Sequence, residues 1–204
     1  MPFLPPEAHG KLIVMAQMAY CGPVEQAEQV LAPFRALATP IADMLRPISY
    51  PEIYPPEPPD YRPIATVRTM FLEEFDLETA TQMIERIESA AMGVLQMRAL
   101  GGAMARVPAD ATAFAHRDKP IMANVASIAE SVDQLPDREA WVAEASASLD
   151  HGGEAAYVGF LGDEGEQRVR AAYPPATWER LAKVKAEYDP DNVFRLNQNI
   201  PPAA

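Results

Sequence analysis

Proline is crowded into one part of this chain, and this limits where regular secondary structure can form. Of its 204 residues, 21 are proline, about twice the usual share of roughly 5%. One cluster comprises Pro47, Pro51, Pro55, Pro56, Pro58, Pro59 and Pro63. Because proline is excluded from helix interiors and central strands, we expect a rigid, polyproline-like surface connection in this region.

Before the proline cluster, the pattern of apolar residues predicts a helix between two strands. The unbroken apolar run Lys11–Ala19 predicts a buried strand, and the short apolar stretch Pro40–Pro47 a second one. A helix is predicted between them, since five apolar residues recur there at helical spacing. These are Val24, Ala27, Val30, Leu31 and Phe34.

After the cluster, strands and helices are predicted at uneven intervals. The predicted strands are Ile64–Phe71, Gly93–Leu100, Ile121–Ile128 and the short run Ala156–Leu161. Two helices are predicted at Leu77–Ile87, with Asp76 as N-cap, and at Trp141–Leu149, closed by His151-Gly152-Gly153. Asp163 and Glu166 predict the capping box that opens a further helix. The last predicted helix is Trp178–Tyr188, and a helical turn at Asp189-Pro190 is predicted to follow it. Regular β-α-β units with glycine-rich turns are absent. We therefore predict an α+β fold, an antiparallel sheet with helices packed on one face.

Charge and cysteine content exclude several classes of function. The formal net charge is 17 − 29 = −12, which argues against binding to nucleic acid or to an anionic membrane. The single cysteine, Cys21, excludes an internal disulfide, and His9, His116 and His151 are too scattered for a local metal motif. The sequence shows no secretory start and no apolar stretch of membrane-spanning length, so we expect a cytoplasmic protein without a metal.

No self-contained active site can be read from the residues alone. Gly101-Gly102 is better interpreted as a tight turn than as a phosphate loop, and His116-Arg117-Asp118 as structural rather than catalytic. Cys21 has no neighbouring histidine that would make it a nucleophile. The residues alone thus indicate an acidic α+β domain and leave its function open.

The end of the chain carries a more specific signal, since residues 188–202 read YDPDNVFRLNQNIPP. This stretch resembles the C-terminal signature of the berberine-bridge-enzyme-like FAD-linked oxidoreductases. Further segments resemble the same family: Phe3–Gly10, Ala32-Pro33-Phe34, Ala42-Asp43, Pro47–Tyr50, Gly102-Ala103, Ala111–Phe114, His116-Arg117-Asp118 and Arg180–Lys185. The resemblance covers essentially the whole chain.

The resemblance implies a flavin-oxidase substrate domain. In that family an N-terminal domain holds FAD, and an antiparallel sheet backed by helices covers the flavin ring. This chain resembles only the covering domain and the C-terminal segment, which in the family returns to the flavin domain. The resemblance therefore implies an N-terminally truncated substrate domain at residues 1–175 and a C-terminal segment at 176–204. FAD would then be shared with, or supplied by, a flavin-binding partner on a separate chain, without which we expect no activity.

The family also implies which residues face the flavin: Tyr157, Gly159, Phe160, Asn197, Gln198 and Asn199. The family pattern Tyr-x-Asn-Phe/Tyr reads Tyr157-Val158-Gly159-Phe160 here. Gly159 therefore replaces an asparagine. Phe160 stands where sugar-oxidising relatives carry a tyrosine base, and it has no hydroxyl that could take a proton.

Two kinds of function therefore stay open. The resemblance implies the substrate-binding part of an oxidoreductase that transfers hydride from substrate to flavin. The alternative is a non-catalytic small-molecule-binding or interaction module derived from the family, or an inactive remnant. In either case we expect self-association or a partner, because an unpaired edge at Lys11–Ala19 or at a neighbouring strand tends to pair with another chain.

Overall fold

The computed structural model describes residues 4–54, 60, 62–149, 153, 155–162 and 164–204. The chain divides into two compact units, Met1–Tyr61 and Arg62–Ala204, and the boundary falls inside the proline-rich region. The predicted polyproline connection at Pro55, Pro56, Pro58 and Pro59 lies outside the described residues. The division into a substrate domain at 1–175 and a C-terminal segment at 176–204 follows family segments and stays a prediction.

In its described residues, the first unit contains one α-helix and two short 3₁₀ turns. Helix α1 is Val24–Arg35, as its apolar spacing predicts. The turns are Pro6–Ala8 and Tyr50–Ile53, each with proline in its first positions, where the missing N–H does no harm. Arg35 at the end of α1 pairs with Glu28 at 2.5 Å and with Asp43 at 2.7 Å, which ties the following segment to the helix.

The two strands predicted in the first unit, Lys11–Ala19 and Pro40–Pro47, are wrong: both segments are irregular. An apolar run becomes a buried strand only where a second strand completes its hydrogen bonds. Among the described residues of this unit neither segment finds such a partner, and Val14 stays 93% exposed.

The second unit is built on a three-stranded antiparallel sheet. Its strands are β1 (Ile64–Leu72), β2 (Gly93–Ala99) and β3 (Ile121–Ala129), in the order β1-β3-β2. All three confirm the predicted strands to within one residue at each end. In the register, Thr69 lies opposite Asn124 and Gln96 opposite the same Asn124.

Two helices pack on one face of this sheet, which confirms the predicted fold class. They are α2 (Leu77–Ser89) and α3 (Leu135–Leu149). Asp76 caps α2 as predicted, since its side chain accepts a hydrogen bond from the Thr79 amide. The core between sheet and helices comprises Met70, Leu72, Met83, Ala123, Val125, Val142, Ala145 and Leu149.

Glycine is required where β2 begins, because the α3 indole lies against it. A Cβ atom at Gly93 would come within 2.7 Å of the Trp141 ring. Any larger residue would therefore push α3 away from the sheet.

The C-terminal part contains the 3₁₀ turn Val158–Phe160, helix α4 (Glu166–Ala171) and helix α5 (Pro175–Tyr188). The strand predicted at Ala156–Leu161 is wrong, because the Leu161 amide bonds back to the Val158 carbonyl and closes a turn instead. Helix α4 starts after Gly165, and the predicted caps at Asp163 and at His151-Gly152 lie outside the described residues.

The helical turn predicted at Asp189-Pro190 is also wrong, since the chain makes a non-helical turn there. The Asp189 carboxylate accepts hydrogen bonds from the amides of Val193 at 2.8 Å and Phe194 at 3.0 Å, and from Lys185. These three donors lower the pKa of Asp189, the Lys185 ammonium most of all. The Asp189 side chain, whose position predicts a helical turn, thus closes a loop instead.

Candidate functional site

The face of the sheet opposite the helices, which we call the second face, carries most of the sheet's polar side chains. Successive side chains of a strand point to opposite faces. Because Met70 and Val125 pack against the helices, their neighbours along the strands lie on the second face. By this alternation and the register, that face carries Thr69, Phe71, Gln96, Arg98, Met122 and Asn124.

Asn124 is the centre of a hydrogen-bond chain that crosses the second face. With the amide of Asn124 oriented so that both of its polar atoms find partners, its carbonyl accepts a hydrogen bond from Nη1 of Arg98 at 2.9 Å and its NH₂ group donates to Oγ1 of Thr69 at 3.0 Å. Thr69 is fully buried and Asn124 is 5% exposed. Since buried polar groups need partners, this chain fixes the Arg98 guanidinium relative to β1 and β3.

Arg98 is held on its other side by an aromatic ring. The guanidinium carbon lies 4.6 Å from the centre of the Phe160 ring, a cation–π contact. Among the described residues, no carboxylate lies within ion-pair distance of this half-buried side chain. The guanidinium is thus oriented by a neutral amide and a ring, and its charge is not balanced by either.

Five rings form a continuous group beside Arg98, which we call the aromatic group. Its members are Phe71, Phe114, His116, Tyr157 and Phe160. Ring centres are 4.8 Å apart for Phe71 and His116, 5.8 Å for Phe114 and Tyr157, and 5.3 Å for Tyr157 and Phe160. Most of these pairs meet edge to face, which is a favourable arrangement for aromatic side chains.

His116 joins this group to the C-terminal part as a structural residue. Its Nε2 lies 3.1 Å from the carbonyl of Ala172, so the proton of the neutral ring sits on Nε2 and is donated. Burial lowers the pKa of His116, and this outweighs the opposing effects of the Ala172 carbonyl and of Asp118. The ring is therefore neutral at pH 7, which agrees with a structural interpretation of His116-Arg117-Asp118.

An open groove of about 990 Å³ lies at the Val158–Phe160 turn. It is lined by residues of that turn and of the C-terminal loop, among them Gly159, Asn197, Gln198 and Asn199. Nε2 of Gln198 donates to the carbonyls of Leu161 at 2.6 Å and Gly162 at 3.1 Å. Asn197 takes a positive φ of 59°, which asparagine tolerates, and so turns the loop toward the groove.

One polar atom at the groove lacks a hydrogen-bond partner among the described residues. This atom, Oδ1 of Asn199, is buried and accepts no hydrogen bond from them. Leaving a buried acceptor unpaired costs free energy, so a bound N–H or O–H donor would be favoured at this point. An isoalloxazine ring or its ribityl chain offers such donors, and the residues at the groove therefore fit a flavin in chemical type.

The structure brings the six sequence-predicted site residues to one place around a single turn. Gly159, Asn197, Gln198 and Asn199 line the groove, while Tyr157 and Phe160 belong to the aromatic group on the adjoining side. Their contact with a flavin stays a prediction.

Sequence reasoning missed Arg98, Asn124 and Thr69. The available signal was the placement of polar residues at alternate positions of strands that are otherwise apolar, namely Gln96 and Arg98 on β2 and Asn124 on β3. Such residues are recognisable as a second polar face only once the strand register is known.

Other candidate sites gain no support. Within the described ranges, no group of three or more histidine, cysteine or acidic side chains is placed to hold a metal ion. None of the helices in the described part of the chain combines the length and apolar character needed to cross a membrane. Cys21 is an exposed free thiol in the first unit.

Comparison with known proteins identifies relatives of both the sequence and the fold. A family model described as berberine and berberine like matches residues 156–201. An uncharacterized FAD-linked oxidoreductase of Bacillus subtilis strain 168, YgaK, is 30% identical over 190 residues, which is 90% of this chain and 42% of YgaK. Berberine bridge enzyme-like 17 of Arabidopsis thaliana is 31% identical over 54% of this chain and 24% of that protein.

Solved structures show the same fold at lower identity. Berberine bridge enzyme from Eschscholzia californica superposes with a TM-score of 0.59 at 19% identity, over 71% of this chain and 34% of that one. A chitooligosaccharide oxidase superposes with a TM-score of 0.66 at 18% identity, over 91% and 45% respectively. This chain therefore spans less than half of the length of these relatives.

Proposed function

Because the chain belongs to the berberine-bridge-enzyme-like family of FAD-linked oxidoreductases, we propose that it forms the part of such an enzyme that covers the flavin and shapes the substrate pocket. The observation that carries the proposal is the clustering around the Val158–Phe160 turn. Residues 37 positions apart, Leu161 and Gln198, meet there and bring the C-terminal loop to the groove. The turn thus connects the aromatic group and the guanidinium of Arg98 with the amides of the C-terminal loop.

FAD, when bound, supplies the hydride-accepting chemistry of the family. In this chain, Gly159 and the loop Asn197–Asn199 would hold it, with the unpaired carbonyl of Asn199 accepting one hydrogen bond. Tyr157 and Phe160 would exclude water from that side of the groove. The flavin would be carried by a part of the enzyme that lies outside these 204 residues, on a partner chain or on the same polypeptide.

Proton transfer would need a group other than Phe160, which has no hydroxyl. His116 is engaged with Ala172 and is neutral, so it serves the structure rather than the substrate. Tyr157, whose ring lies 5.3 Å from that of Phe160, carries the one hydroxyl among the five rings. We place the proton-handling role, if substrate oxidation needs one from this chain, on Tyr157.

The test is association with a flavin-bearing partner. The part of YgaK outside the region that this chain matches would be expressed separately, in a flavin-loaded and a flavin-free form. Calorimetric titration with this chain should give tighter binding to the flavin-loaded form. Equal affinity for both forms would contradict a flavin-covering role.

A second candidate, a small-molecule-binding module without catalysis, is favoured by one observation. Gly159 lacks the asparagine side chain that the family pattern places beside the flavin, and Phe160 lacks the hydroxyl of the tyrosine in sugar-oxidising relatives. Under this second interpretation the chain binds its ligand whether or not flavin is present. It should then show equal affinity for the flavin-loaded and flavin-free forms, so the same titration separates the two candidate functions.

A further inference from the structure

We propose that Arg98 binds the carboxylate of an anionic, planar substrate and so determines the substrate class of this site. The inference rests on the proposed function, because it places the substrate on the surface that would cover the flavin. It goes beyond that function in naming the chemical group that is recognised and the residue that recognises it.

The charge of Arg98 is not balanced by a carboxylate among the described residues. The chain is strongly acidic, with a net charge of −12, and several arginines elsewhere are paired with carboxylates. These are Arg35, Arg46, Arg86, Arg168 and Arg170. Like the half-buried Arg68, Arg117 and Arg138, Arg98 has no such partner among the described residues, so the control Arg68 shares its unbalanced charge but not its geometry. A half-buried cation without a counter-charge favours binding of an anion.

The guanidinium of Arg98 is held in a fixed orientation by two contacts. One Nη1–H is donated to Asn124 at 2.9 Å, and one flat side of the group lies on Phe160. These two contacts fix its plane and leave the other N–H groups along its edge without a protein acceptor among the described residues. A carboxylate lying in that plane accepts two parallel hydrogen bonds, the geometry for which arginine is best suited.

The surroundings of the guanidinium favour a planar substrate. The edge of the guanidinium adjoins the aromatic group, where Phe160 and Tyr157 meet at 5.3 Å. A planar ring bearing the carboxylate could pack against these side chains while its charge meets Arg98. The site therefore fits an aromatic or conjugated carboxylic acid better than a neutral sugar.

The experiment is a titration of the ¹⁵N-labelled chain by NMR, which follows the amides of Arg98 and Phe160 and the Arg98 side-chain Nε–H. The probes are sodium benzoate, its neutral isostere benzamide and inorganic phosphate. We expect saturable shifts at these signals with benzoate and much weaker binding of benzamide. Phosphate binding without benzoate binding would point to the cofactor's phosphates as the ligand of Arg98 and would overturn the proposal.

Matched variants complete the test. Arg98→Gln should weaken benzoate binding about tenfold or more, since it removes a charge-assisted pair, and Arg98→Lys should retain part of it. Arg68→Gln is the control, because Arg68 lies on β1 of the same sheet and alternates onto the helix face. It should bind benzoate like the parent chain. Equal binding by Arg98→Gln and Arg68→Gln, or no saturable benzoate binding at all, would overturn the proposal.

A failure here is distinguishable from a failure of the proposed function. The benzoate titration needs no flavin, whereas the association test depends on flavin and needs no substrate. Should Arg98→Gln unfold, its loss of signal dispersion would show it. Arg98→Lys then decides the question, because it keeps the positive charge but cannot donate two parallel hydrogen bonds from a planar group to one carboxylate. Full benzoate affinity in Arg98→Lys would contradict bidentate recognition.

Discussion

Gln198 donates a hydrogen bond through Nε2 to the carbonyl of Leu161 across 2.6 Å, and so joins the C-terminal loop to the end of the Val158–Phe160 turn. A second bond, to the carbonyl of Gly162 at 3.1 Å, uses the other hydrogen of the same amide. One side chain thus holds together the two segments that line the groove. The shape of the groove depends on this link.

Replacing Gln198 by alanine should therefore loosen the groove. The substitution removes both bonds at a partly exposed position, so we expect a loss of about 1–2 kcal/mol in the free energy of unfolding. Urea denaturation measures the loss. Gln82→Ala, at an exposed position of α2, is the control and should change stability by less than about 0.5 kcal/mol. Equal stability of the two variants would show that the link is not needed.

Gly159 should resist even the smallest side chain, because of the ring beside it. A Cβ atom there would lie 2.9 Å from the Tyr157 ring, and that ring is packed against Phe114 and Phe160. Both Gly159→Ala and Gly159→Asn should lower the free energy of unfolding by about 1–3 kcal/mol. The loss is measured as a lower melting temperature. In a Tyr157→Val background the cost of Gly159→Ala should largely disappear. An undiminished cost in that background would mean that the ring is not the obstacle.

His116 should make stability depend on pH between neutrality and mild acid. Its pKa in the folded chain is lowered by burial, so the unfolded chain binds more protons as the pH falls through about 6.5. Stability from this residue is therefore present above that pH and is lost as the pH falls toward the folded-state pKa. His116→Gln keeps an N–H donor for Ala172 but does not titrate. The parent chain should lose more stability than the variant between pH 7.5 and 5.5, as measured by urea denaturation, and parallel losses would contradict the assignment.

The predicted elements were reliable where a local pattern and a tertiary partner agreed. The three sheet strands, α2 with its Asp76 cap and α5 follow from alternation, helical stripes and capping. Lys11–Ala19 shows the opposite case, since an apolar run without a partner strand stays irregular. The run Ala156–Leu161 is too short for its pattern to separate a strand from a turn.

Part of the site can be predicted from the sequence, and the rest depends on how the strands pair. Family resemblance indicated Tyr157, Phe160 and the loop Asn197–Asn199, and the structure brings them together. Arg98 and Asn124 are 26 positions apart and meet only because β2 and β3 pair in a particular register. Pairing register is a tertiary property that no local pattern on either strand contains.

The chain by itself should be colourless and bind FAD weakly. Gly101 and Gly102 take positive φ values of 129° and 57°, but within the described residues no helix follows them before β3, so no helix N-terminus is available there for a phosphate. Equilibrium dialysis against FAD measures the affinity, with full-length YgaK as the comparison. A yellow protein whose flavin stays bound through denaturation would refute this expectation.

The most direct test of the flavin-covering role is hydrogen exchange in the complex with the separately expressed part of YgaK. Peptides that contain Tyr157–Leu161 and Asn197–Asn199 should exchange more slowly when that part carries flavin than when it is flavin-free, while peptides from α2 should exchange equally in both. Slower exchange confined to α2, or the same exchange at the groove with and without flavin, would contradict the account.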